Sequence, residues 1–379
     1  MRYLLDGRPL QGASSVRGIG TYESSLLAEF AAMGIGNDVT LLLAAGQATP
    51  PQVRELGLEV APVRLRVTHP TLQPIVDPLL VGRAVRRLHP ALYHGIELGQ
   101  PLGGPAAVAI SVHDLIPFVF PRDYPWVRRA RIPALRLLRR ADRVLVPSTA
   151  TERDVIRFAR VDPSRIEVTP YAVASRFAPA AESDVAALRK RLQLPQRYLL
   201  AVGTFDPRKR VDLLAAVAAR VCRDHDVGLV VAGEQGTFEM SVRAMLDGAG
   251  LAGRHRLLGH VPLDELVALY SGAECLVFTS AYEGFGLPPL EAMACGTPVA
   301  LFDNSSLPEV AGPAALMVGD GQTSAMADAV AAVLTDPAER LRRRALGLEW
   351  VSRFRWRRTA EATLEAYQRA MEAKRSSLV

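Results

Sequence analysis

The chain has 379 residues, 49% of them hydrophobic, which is long enough for two α/β domains that each bury a core. Its 45 lysines and arginines exceed its 39 aspartates and glutamates, for a formal net charge of +6. The sequence lacks basic repeats interleaved with aromatic residues, the stronger signal of nucleic-acid binding, so we expect no nucleic-acid partner. A mildly basic balance suits an acidic small molecule, a phosphorylated lipid or an anionic membrane surface.

Cysteine usage and the amino terminus indicate the compartment. Cys222, Cys275 and Cys295 lie far apart without C-x-x-C spacing, which argues against a disulfide framework and a zinc site. The opening "MRYLLDGRPL" is apolar only until Asp6 and Arg8, so it predicts a first strand and not a signal peptide. No uncharged run reaches the roughly 18 to 20 residues that span a bilayer. We expect a cytoplasmic protein, either free or peripheral at the inner face of the membrane.

Short apolar runs alternate with longer amphipathic ones, a pattern typical of a parallel sheet with helices on both faces. The first half contains the runs "RYLLDG", "DVTLLLAAG", "ALYHGI", "VAISVHD", "DRVLVPS" and "RIEVTPYAV". The second half contains "RYLLAVGT", "VGLVVAGE", "HRLLGHV", "ECLVFTS", "PVALFD" and "AALMVGD". Two comparable sets of strands predict two doubly wound α/β domains.

A polar, proline-flanked segment over 177–196 separates the two sets and predicts a linker with a short helix. We predict an N-terminal domain over 1–178 and a C-terminal domain over 179–352. The remaining segment, 353–379, predicts one long helix. Its apolar side chains would lie near one helical face: Phe354, Ala360, Leu364, Tyr367 and Met371.

The loop after "ECLVFTS" follows the carboxyl end of a predicted strand, where open α/β sheets bind ligands. Pro288 and Pro289 can occupy the first positions of a short helix, predicted over 290–295, that Gly296 ends. Gly284 and Gly286 let backbone N–H groups approach a ligand closely. A glycine loop before a helix amino terminus favours an anion.

Two glutamates, Glu283 and Glu291, flank this loop eight positions apart. The helix dipole alone favours a glutamate in a first helical turn, so Glu291 has a purely structural interpretation as well. Glu283 has a weaker alternative, that of a solvated loop carboxylate. The glycines between the two glutamates favour a ligand site.

The stretch "AYEGFGLPPLEAMACGTPV", followed by "SSLPEVAGPAALMV", resembles the nucleotide-sugar site of the retaining GT-B glycosyltransferases of family 4, whose E-x7-E motif matches Glu283 and Glu291. The resemblance extends to "AVGTFDPRKRVDLL", "LLGHVPLDELVALYSGAECLVF" and, more weakly, "VRGIGTYESSLLAEF" and "SVHDLIP". It implies two Rossmann-like domains facing an interdomain cleft, with the last helix crossing back to the N-terminal domain.

In similar enzymes the first glutamate, here Glu283, lies beside the transferred sugar as a nucleophile or electrostatic stabiliser. The second, here Glu291, accepts hydrogen bonds from the ribose hydroxyls. The donor-binding loop between them comprises Gly284, Phe285, Gly286 and Leu287.

The motif "GTFDPRKR" places cations after another predicted strand. In the family, the second cation of a G-R-x4-K pattern contacts the donor diphosphate, and Lys209 matches it. Thr204 stands where the family has arginine, so either Arg208 or Arg210 can supply the second positive charge. The alternative is a solvated charge run.

Further motifs imply contacts with the donor. Gly18 and Gly20 match the N-terminal glycine loop that meets the donor's phosphate and sugar, although on their own they indicate only a tight turn. His113 resembles the histidine that contacts the donor sugar; general base is a less favoured role, and an isolated histidine is more often structural. Val261 and Leu266 match base-contacting positions, with core packing almost as good an interpretation.

No metal is expected. The D-x-D in "RDHDV" precedes a strand, so it predicts a surface turn away from the site, and no other cluster has metal-ligand spacing. The leaving diphosphate would then be stabilised by cations and helix amino termini.

The segment "RDYPWVRRARIPALRLLRRADR" carries eight arginines around Trp126, Ile132, Leu135 and Leu138. A basic helix of this type can lie on an anionic membrane or bind a lipid diphosphate. It can equally be a solvated helix face.

The sequence therefore predicts a metal-independent retaining hexosyltransferase of polysaccharide biosynthesis. It would transfer a hexose, with mannose favoured, from a nucleoside diphosphate sugar to a hydroxyl of a glycan, lipid-linked or small-molecule acceptor, the acceptor binding in the N-terminal domain. A sugar-nucleotide 2-epimerase of the same fold and a non-catalytic sugar-nucleotide-binding subunit are the alternatives.

Overall fold

The computed structural model describes residues 2–16, 18–64, 73–204, 206–233 and 239–377. Arg17, Phe205 and Glu234, which belong to sequence segments quoted above, lie outside these residues. The chain divides into two compact units, one of Met1–Tyr171 with Arg355–Val379 and the other of Ala172–Phe354.

The division falls a few residues from the boundaries that the sequence suggested at 178/179 and 352/353. The chain after Tyr171 packs within the second unit. The Phe177 ring lies 6.1 Å from that of Tyr270, and the Ala180 N–H donates to the Ser271 hydroxyl at 2.9 Å.

The first unit contains a sheet of seven parallel strands in the order β3-β2-β1-β4-β5-β6-β7. They are β1 Tyr3–Asp6, β2 Val39–Ala44, β3 Glu59–Val63, β4 Leu92–Gly95, β5 Ala107–Ser111, β6 Arg143–Val146 and β7 Ile166–Val168. In the register of the sheet, Tyr3 lies opposite Val39 on one side and Leu92 on the other.

Helices of the first unit join these strands. They are α1 Gly18–Ala32, α2 Pro51–Glu55, α3 Gln73–Leu88, α4 Ile116–Val119, α5 Pro125–Leu137 and α6 Thr149–Asp154. The second unit has the helices α7 Glu182–Leu192, α8 Val211–Asp224, α9 Glu239–Leu246, α10 Leu263–Ser271, α11 Leu287–Ala294, α12 Leu307–Ala311, α13 Thr323–Thr335 and α14 Pro337–Val351. The last helix is α15 Trp356–Ser376.

The second unit contains six parallel strands in the order β10-β9-β8-β11-β12-β13. They are β8 Tyr198–Val202, β9 Gly228–Ala232, β10 His255–Leu257, β11 Cys275–Phe278, β12 Val299–Asp303 and β13 Leu316–Gly319. Short 3-10 turns occur at Arg8–Gln11, Ala13–Val16, Gly36–Asp38, Leu138–Arg140, Pro163–Arg165, Pro207–Lys209 and Gly312–Ala314, and wider turns at Val155–Ala159 and Asp247–Leu251. Both units are Rossmann-like, as predicted.

Each of the twelve predicted apolar runs contains a strand. The prediction missed β3, which contains Pro62 and lies at the edge of its sheet, where β2 is its one neighbour among the described strands. Proline has no N–H to donate to a neighbouring strand, so it is tolerated at an edge, but it weakens the sequence signal of a strand.

Each unit buries its own core. In the first, Leu4, Leu42, Tyr93, Ile110 and Val144 from neighbouring strands pack together and are fully buried. The sheet of the second unit packs in the same way against residues of α8 and α13. Because parallel strands are covered on both faces, they are apolar along their whole length, which made them visible in the sequence.

The helix α15 packs in the first unit, against β4, β5, β6 and α1. Its buried face differs from the predicted stripe: Phe354 precedes the helix, and Leu364 and Met371 are only half-buried. The buried residues are mostly small: Trp356, Thr359, Ala360, Thr363, Ala366, Tyr367 and Ala370. Small side chains let the helix approach the sheet, where the Tyr367 hydroxyl meets His94 Nδ1 at 2.6 Å.

The short helix after the two glycines, α11, begins at Leu287, three residues before the predicted start at 290. Gly286 precedes it with φ of +105°, and a Cβ there would lie 2.9 Å from the Leu307 side chain. Glycine therefore permits the sharp entry that lets the helix begin early.

No helix in the described part of the chain has both the length and the apolarity needed to cross a bilayer.

Candidate functional site

Each sheet has one point where the strand order reverses, between β1 and β4 in the first unit and between β8 and β11 in the second. Open α/β sheets bind ligands at the carboxyl ends of the strands beside such a point. In the second unit, the chain after β8 and β11 carries the predicted cations and the predicted glutamate loop.

Hydrogen bonds to backbone carbonyls join these two segments of the second unit. The Ala281 N–H donates to the Arg208 carbonyl at 2.7 Å, and the Thr279 hydroxyl donates to the Lys209 carbonyl at 2.8 Å. The Asp206 carboxylate accepts from the Arg208 N–H and begins the 3-10 turn that contains both cations. Residues about 70 positions apart in sequence thus form one site.

Glu283 and the two cations meet directly. Lys209 Nζ lies 2.5 Å and Arg208 Nη1 2.8 Å from the same oxygen, Glu283 Oε1. Lys209 is only 8% exposed, and its ammonium group lies 4.8 Å from the centroid of the Phe278 ring. A nearly buried carboxylate is thus paired with two positive charges.

Burial opposes ionisation of Glu283, but Lys209 and then Arg208 outweigh it and lower the pKa of Glu283 to about 2. The carboxylate is therefore negatively charged at neutral pH. Hydroxyl groups also hold the loop: Ser305 accepts from the Glu283 N–H at 3.0 Å, and Ser306 donates to the Phe285 carbonyl at 2.7 Å.

Arg210 was the other candidate for the second cation, and its side chain is engaged elsewhere. Its guanidinium donates to Asp320 through two hydrogen bonds, at 2.6 and 2.9 Å. Arg208 is thus the cation beside Lys209. Thr204, at the position where the family has arginine, is exposed.

Glu291 is the fifth of the eight residues of α11, past the first turn in which the sequence placed it, because the helix begins at Leu287. It accepts a hydrogen bond from the Tyr270 hydroxyl at 2.9 Å. Burial raises its pKa to about 7. Near neutral pH the side chain is thus poised between its protonated and ionised forms. Sequence reasoning missed Tyr270, because a tyrosine inside an apolar helix carries no signal of a distant carboxylate partner.

The other predicted positions of this unit lie as follows. Gly284 and Phe285 are buried, and the Phe285 ring packs 6.0 Å from that of Phe354. Leu287 is half-buried at the start of α11. Val261 and Leu266 are each about 9% exposed, a burial that suits core packing as well as a contact with a base.

In the first unit, Gly18 and Gly20 form the first turn of α1. A Cβ at Gly20 would lie 2.2 Å from the Ser15 carbonyl oxygen, so only glycine allows the chain to fold back so closely. Gly18 is exposed at the amino terminus of the helix, where N–H groups are left unpaired by the helix itself.

His113 follows β5 and uses both ring nitrogens within the first unit. Nε2 lies 2.6 Å from the Ile96 carbonyl, which can only accept, so Nε2 carries the proton. Nδ1 then accepts from the Tyr171 hydroxyl. Burial lowers the pKa of His113, so the ring is neutral and has no nitrogen left to take up a proton in this arrangement.

A cavity of about 600 Å³ opens at the same edge of the first sheet. Its lining includes Asp6, the last residue of β1, together with Arg8, Asp77, Glu97 and His113. Apart from His113, these residues were not predicted. A polar cluster at the end of the first strand, "DGR", was the available signal.

The D-x-D of "RDHDV" begins at the last residue of α8 and continues into the loop before the amino end of β9, as predicted. Asp224 is exposed there and pairs with Arg223 at 3.1 Å. Among the residues that the structure describes, no three His, Cys, Asp or Glu side chains converge as metal ligands do. Metal independence stays a prediction.

Two family descriptions match the chain: glycosyl transferase 4-like domain over 17–172 and glycosyl transferases group 1 over 185–347. The O-antigen chain mannosyltransferase B of Escherichia coli is 30% identical over 309 residues, which cover 77% of this chain and 81% of that protein. The D-inositol 3-phosphate glycosyltransferase of Nocardia farcinica is 33% identical over 265 residues, covering 66% of this chain and 57% of that protein.

The fold has solved counterparts. The crystal structure of Anabaena HepE in complex with UDP and glucose superposes with a TM-score of 0.74 at 17% identity, covering 93% of this chain and 95% of that one. At that identity the likeness concerns the fold alone. The two family matches, the mannosyltransferase relative and the paired Rossmann-like units agree, and the chain belongs to the glycosyl transferases group 1 family of GT-B glycosyltransferases.

Proposed function

We propose that this protein transfers a hexose from a nucleoside diphosphate sugar to an acceptor hydroxyl of a glycan or lipid-linked glycan, with retention of anomeric configuration and without a metal ion. Mannose is the favoured sugar and GDP-mannose the favoured donor, ahead of UDP- and dTDP-linked hexoses. The choice of sugar is supported by the mannosyltransferase named among the relatives.

The observation that carries the proposal is the pairing of Glu283 with Lys209 and Arg208 where β8 and β11 end. The two cations would oppose the negative charge of the donor diphosphate in the ground state and as it departs. Glu283, ionised at neutral pH, would lie where positive charge develops on the sugar ring. Glu291 would accept hydrogen bonds from the ribose hydroxyls.

In the reaction we propose, the bond from the anomeric carbon to the phosphate oxygen breaks while the acceptor oxygen bonds to the same face of that carbon. The departing phosphate takes the proton of the acceptor hydroxyl, so no side chain is needed as a base. The two hydrogen bonds of His113 support this route, because they leave the ring without a nitrogen to accept that proton. His113 would then contact the donor sugar and hold its position through Tyr171.

The test begins with thermal unfolding in the presence of GDP, UDP, dTDP and ADP. A nucleotide at 100 times its dissociation constant adds about 2.7 kcal/mol to stability, which identifies the base. The matching nucleotide sugars are then incubated with a mannosylated acceptor, with and without EDTA, and the product anomer is read by NMR. We expect the donor's anomeric configuration in the product and no effect of EDTA.

Three outcomes would contradict the proposal. A product of inverted configuration would remove the retaining mechanism, and an epimeric sugar formed from donor alone would favour the 2-epimerase. Absence of transfer and of donor hydrolysis with every donor would favour a non-catalytic subunit.

We also propose a peripheral contact with an anionic membrane through the amino-terminal half of α5. Residues 125–130 are all exposed, and Trp126 is 77% exposed although it is a large apolar residue. The guanidinium of Arg129 lies 5.4 Å from the Trp126 ring, and Arg128 is exposed beside it. Exposed tryptophan with neighbouring arginines is the composition of an interfacial helix.

A further inference from the structure

The cavity of the first unit opens at the point where the strand order reverses, between the ends of β1 and β4. Its volume of about 600 Å³ falls within the roughly 300 to 1,000 Å³ typical of small-molecule sites. Apolar side chains, among them Ile19, Leu98 and Val127, share the lining with polar ones. A mixed surface of this kind can pack against a sugar ring and hydrogen-bond its hydroxyls.

Among the described residues that line the cavity, negatively charged side chains outnumber positively charged ones. Among the described lining residues, four carboxylates face two arginines: Asp6, Asp77, Glu97 and Asp114 against Arg8 and Arg131. His113 adds no charge, because burial lowers its pKa. The described lining therefore has two more negative than positive charges.

One of the two arginines is already neutralised. Arg8 Nε and Nη2 donate to the two oxygens of Asp6, at 2.6 and 2.5 Å, and its Nη1 donates to Asp77 at 2.6 Å. A guanidinium between two carboxylates attracts an incoming anion weakly, because the three groups together carry one net negative charge.

Glu97 and Asp114 retain capacity to accept hydrogen bonds. Glu97 Oε1 accepts from the Ser14 hydroxyl at 2.9 Å, and Asp114 Oδ1 accepts from the Ile116 N–H at 3.1 Å. An ionised carboxylate has about four acceptor positions, so each can take further hydroxyl donors from a ligand.

A buried carboxyl group near the cavity is affected by the same negative charges. Glu23 lies one turn along α1 from Ile19 and is fully buried. Neither of its oxygens has a hydrogen-bond partner among the residues that the structure describes. Burial raises its pKa well above the ordinary value, and the charges of Asp6 and Glu97 raise it further. Burial and the two negative neighbours thus favour the uncharged form of this carboxyl group.

We infer that this cavity binds the acceptor as an uncharged, hydroxyl-rich sugar and rejects a phosphorylated one, with Glu97 and Asp114 as the specificity-determining side chains. The inference rests on the proposed glycosyl transfer and narrows its acceptor class. It also distinguishes the acceptor types for which two relatives are named. One relative is named for an O-antigen chain and the other for a phosphorylated inositol. The carboxylates of this cavity fit the first type of acceptor.

The test compares three ligands: methyl α-mannoside, its 6-phosphate, and its neutral 6-O-methyl ether as a control for bulk at that position. Binding to the full chain is followed by saturation-transfer NMR, with the cations of the second unit occupied by the most stabilising nucleoside diphosphate. We expect signal from both neutral ligands and none from the phosphate. In transfer assays we expect kcat/KM for the phosphate to be at least about tenfold lower than for the ether.

Two variants test the named residues. Glu97→Gln and Asp114→Asn each remove one negative charge with little change of shape. We expect each to raise KM for the neutral acceptor about tenfold, as loss of a charged hydrogen bond does, and to reduce discrimination against the phosphate several-fold. Glu55→Gln, an exposed carboxylate on α2 outside the cavity, should change neither quantity.

The inference is overturned if the phosphate binds as well as the ether, if no ligand binds, or if both variants keep the discrimination of the wild type. A merely structural role of the two carboxylates would change stability but not the ratio between the two ligands. If no donor is transferred or hydrolysed, the proposed function fails instead. The NMR comparison still decides the cavity inference in that case, because it needs no donor turnover.

Discussion

The two units place ligand-binding residues at the same topological position with opposite charge arrangements. In the first unit, Arg8 lies between two carboxylates, Asp6 and Asp77. In the second, one carboxylate, Glu283, lies between two cations. Each cluster follows a strand beside the point where the strand order reverses.

This comparison teaches that the fold determines where a ligand binds and the side chains determine which ligand. The cluster of the first unit has one more negative than positive charge. In the second unit the charges balance, because Asp206 also lies 3.3 Å from Arg208. The two cations of the second cluster can oppose a diphosphate, whereas the excess negative charge of the first suits hydroxyl donors. In each cluster, removal of one charged side chain leaves a nearly buried partner without its opposite charge, which destabilises the fold.

The largest expected effect comes from breaking the first cluster. Arg8→Met would leave Asp6 and Asp77 facing each other without a cation, and loss of one partner from a buried pair costs about 3 to 5 kcal/mol. We expect thermal unfolding of the variant at clearly lower temperature. Arg220→Met removes an exposed pair with Asp328 and should cost less than about 1 kcal/mol. Equal shifts in the two variants would show that the Arg8 cluster contributes no more than a surface pair.

The second-largest effect is expected in the cluster of the second unit, where two variants distinguish the role of Glu283 from that of Lys209. Glu283→Gln should lower turnover roughly a hundredfold to a thousandfold, as loss of one charge-stabilising contact does. Because it also releases Lys209 and Arg208 from their carboxylate partner, the variant should bind the nucleoside diphosphate as tightly as wild type or more tightly. Calorimetric titration and steady-state rates measure the two quantities.

Lys209→Met is the matched partner of that variant and should lose both donor binding and turnover. Near-normal turnover in Glu283→Gln would remove its catalytic role. Equal loss of binding in both variants would mean that Glu283 only shapes the loop around the phosphates.

The third effect concerns pH. Since burial raises the pKa of Glu291 to about 7, the carboxylate that would accept from the ribose is mostly protonated at pH 6 and mostly ionised at pH 8. We expect nucleotide affinity to rise about tenfold over that interval, following the ionised fraction. In Glu291→Gln the part of the rise that Glu291 causes should disappear, and binding at pH 8 should weaken by about 1.5 to 3 kcal/mol. The phosphate groups titrate equally with both proteins, so their contribution cancels in the comparison.

The raised pKa of Glu291 also predicts how the stability of the ligand-free protein changes with pH. A carboxyl group whose pKa is raised on folding stabilises the fold at pH values below its ordinary pKa of 4.5, and that contribution is lost as pH rises through about 7. Wild type should therefore lose stability relative to Glu291→Gln between pH 4.5 and 7. Parallel stability curves for the two proteins would mean that folding does not raise the pKa of Glu291.

The sequence predicted the elements better than their contacts. Twelve strands were visible as apolar runs, and the glutamate loop was visible through its spacing and its glycines. Hydrogen-bonded partners such as Arg8 and Asp77 are 69 positions apart, and Tyr270 and Glu291 are 21 apart, with no local pattern joining them. The buried face of α15 was missed in part for a related reason. Its close packing requires small residues, and threonine and alanine do not form an apolar stripe in the sequence.

The smallest expected effect concerns the surface beside the cavity of the first unit. Val127 is 43% exposed and lines the cavity, and Trp126 next to it faces solvent, so a lipid surface at α5 would lie close to the opening. Arg128→Gln together with Arg129→Gln should weaken sedimentation with anionic vesicles by about 1 kcal/mol per charge. Arg131 is left unchanged because it lines the cavity and would confuse acceptor binding with membrane binding.

The control for this last prediction is Arg220→Gln with Arg223→Gln, which removes the same charge from α8 in the other unit. It should leave vesicle binding almost unchanged, because these arginines do not belong to the proposed contact. Trp126→Ala should weaken binding at high salt as well, since burial of an aromatic ring is not screened. If wild type does not sediment with anionic vesicles at low salt, the membrane proposal is wrong. The acidic cavity would then have to receive its acceptor from solution.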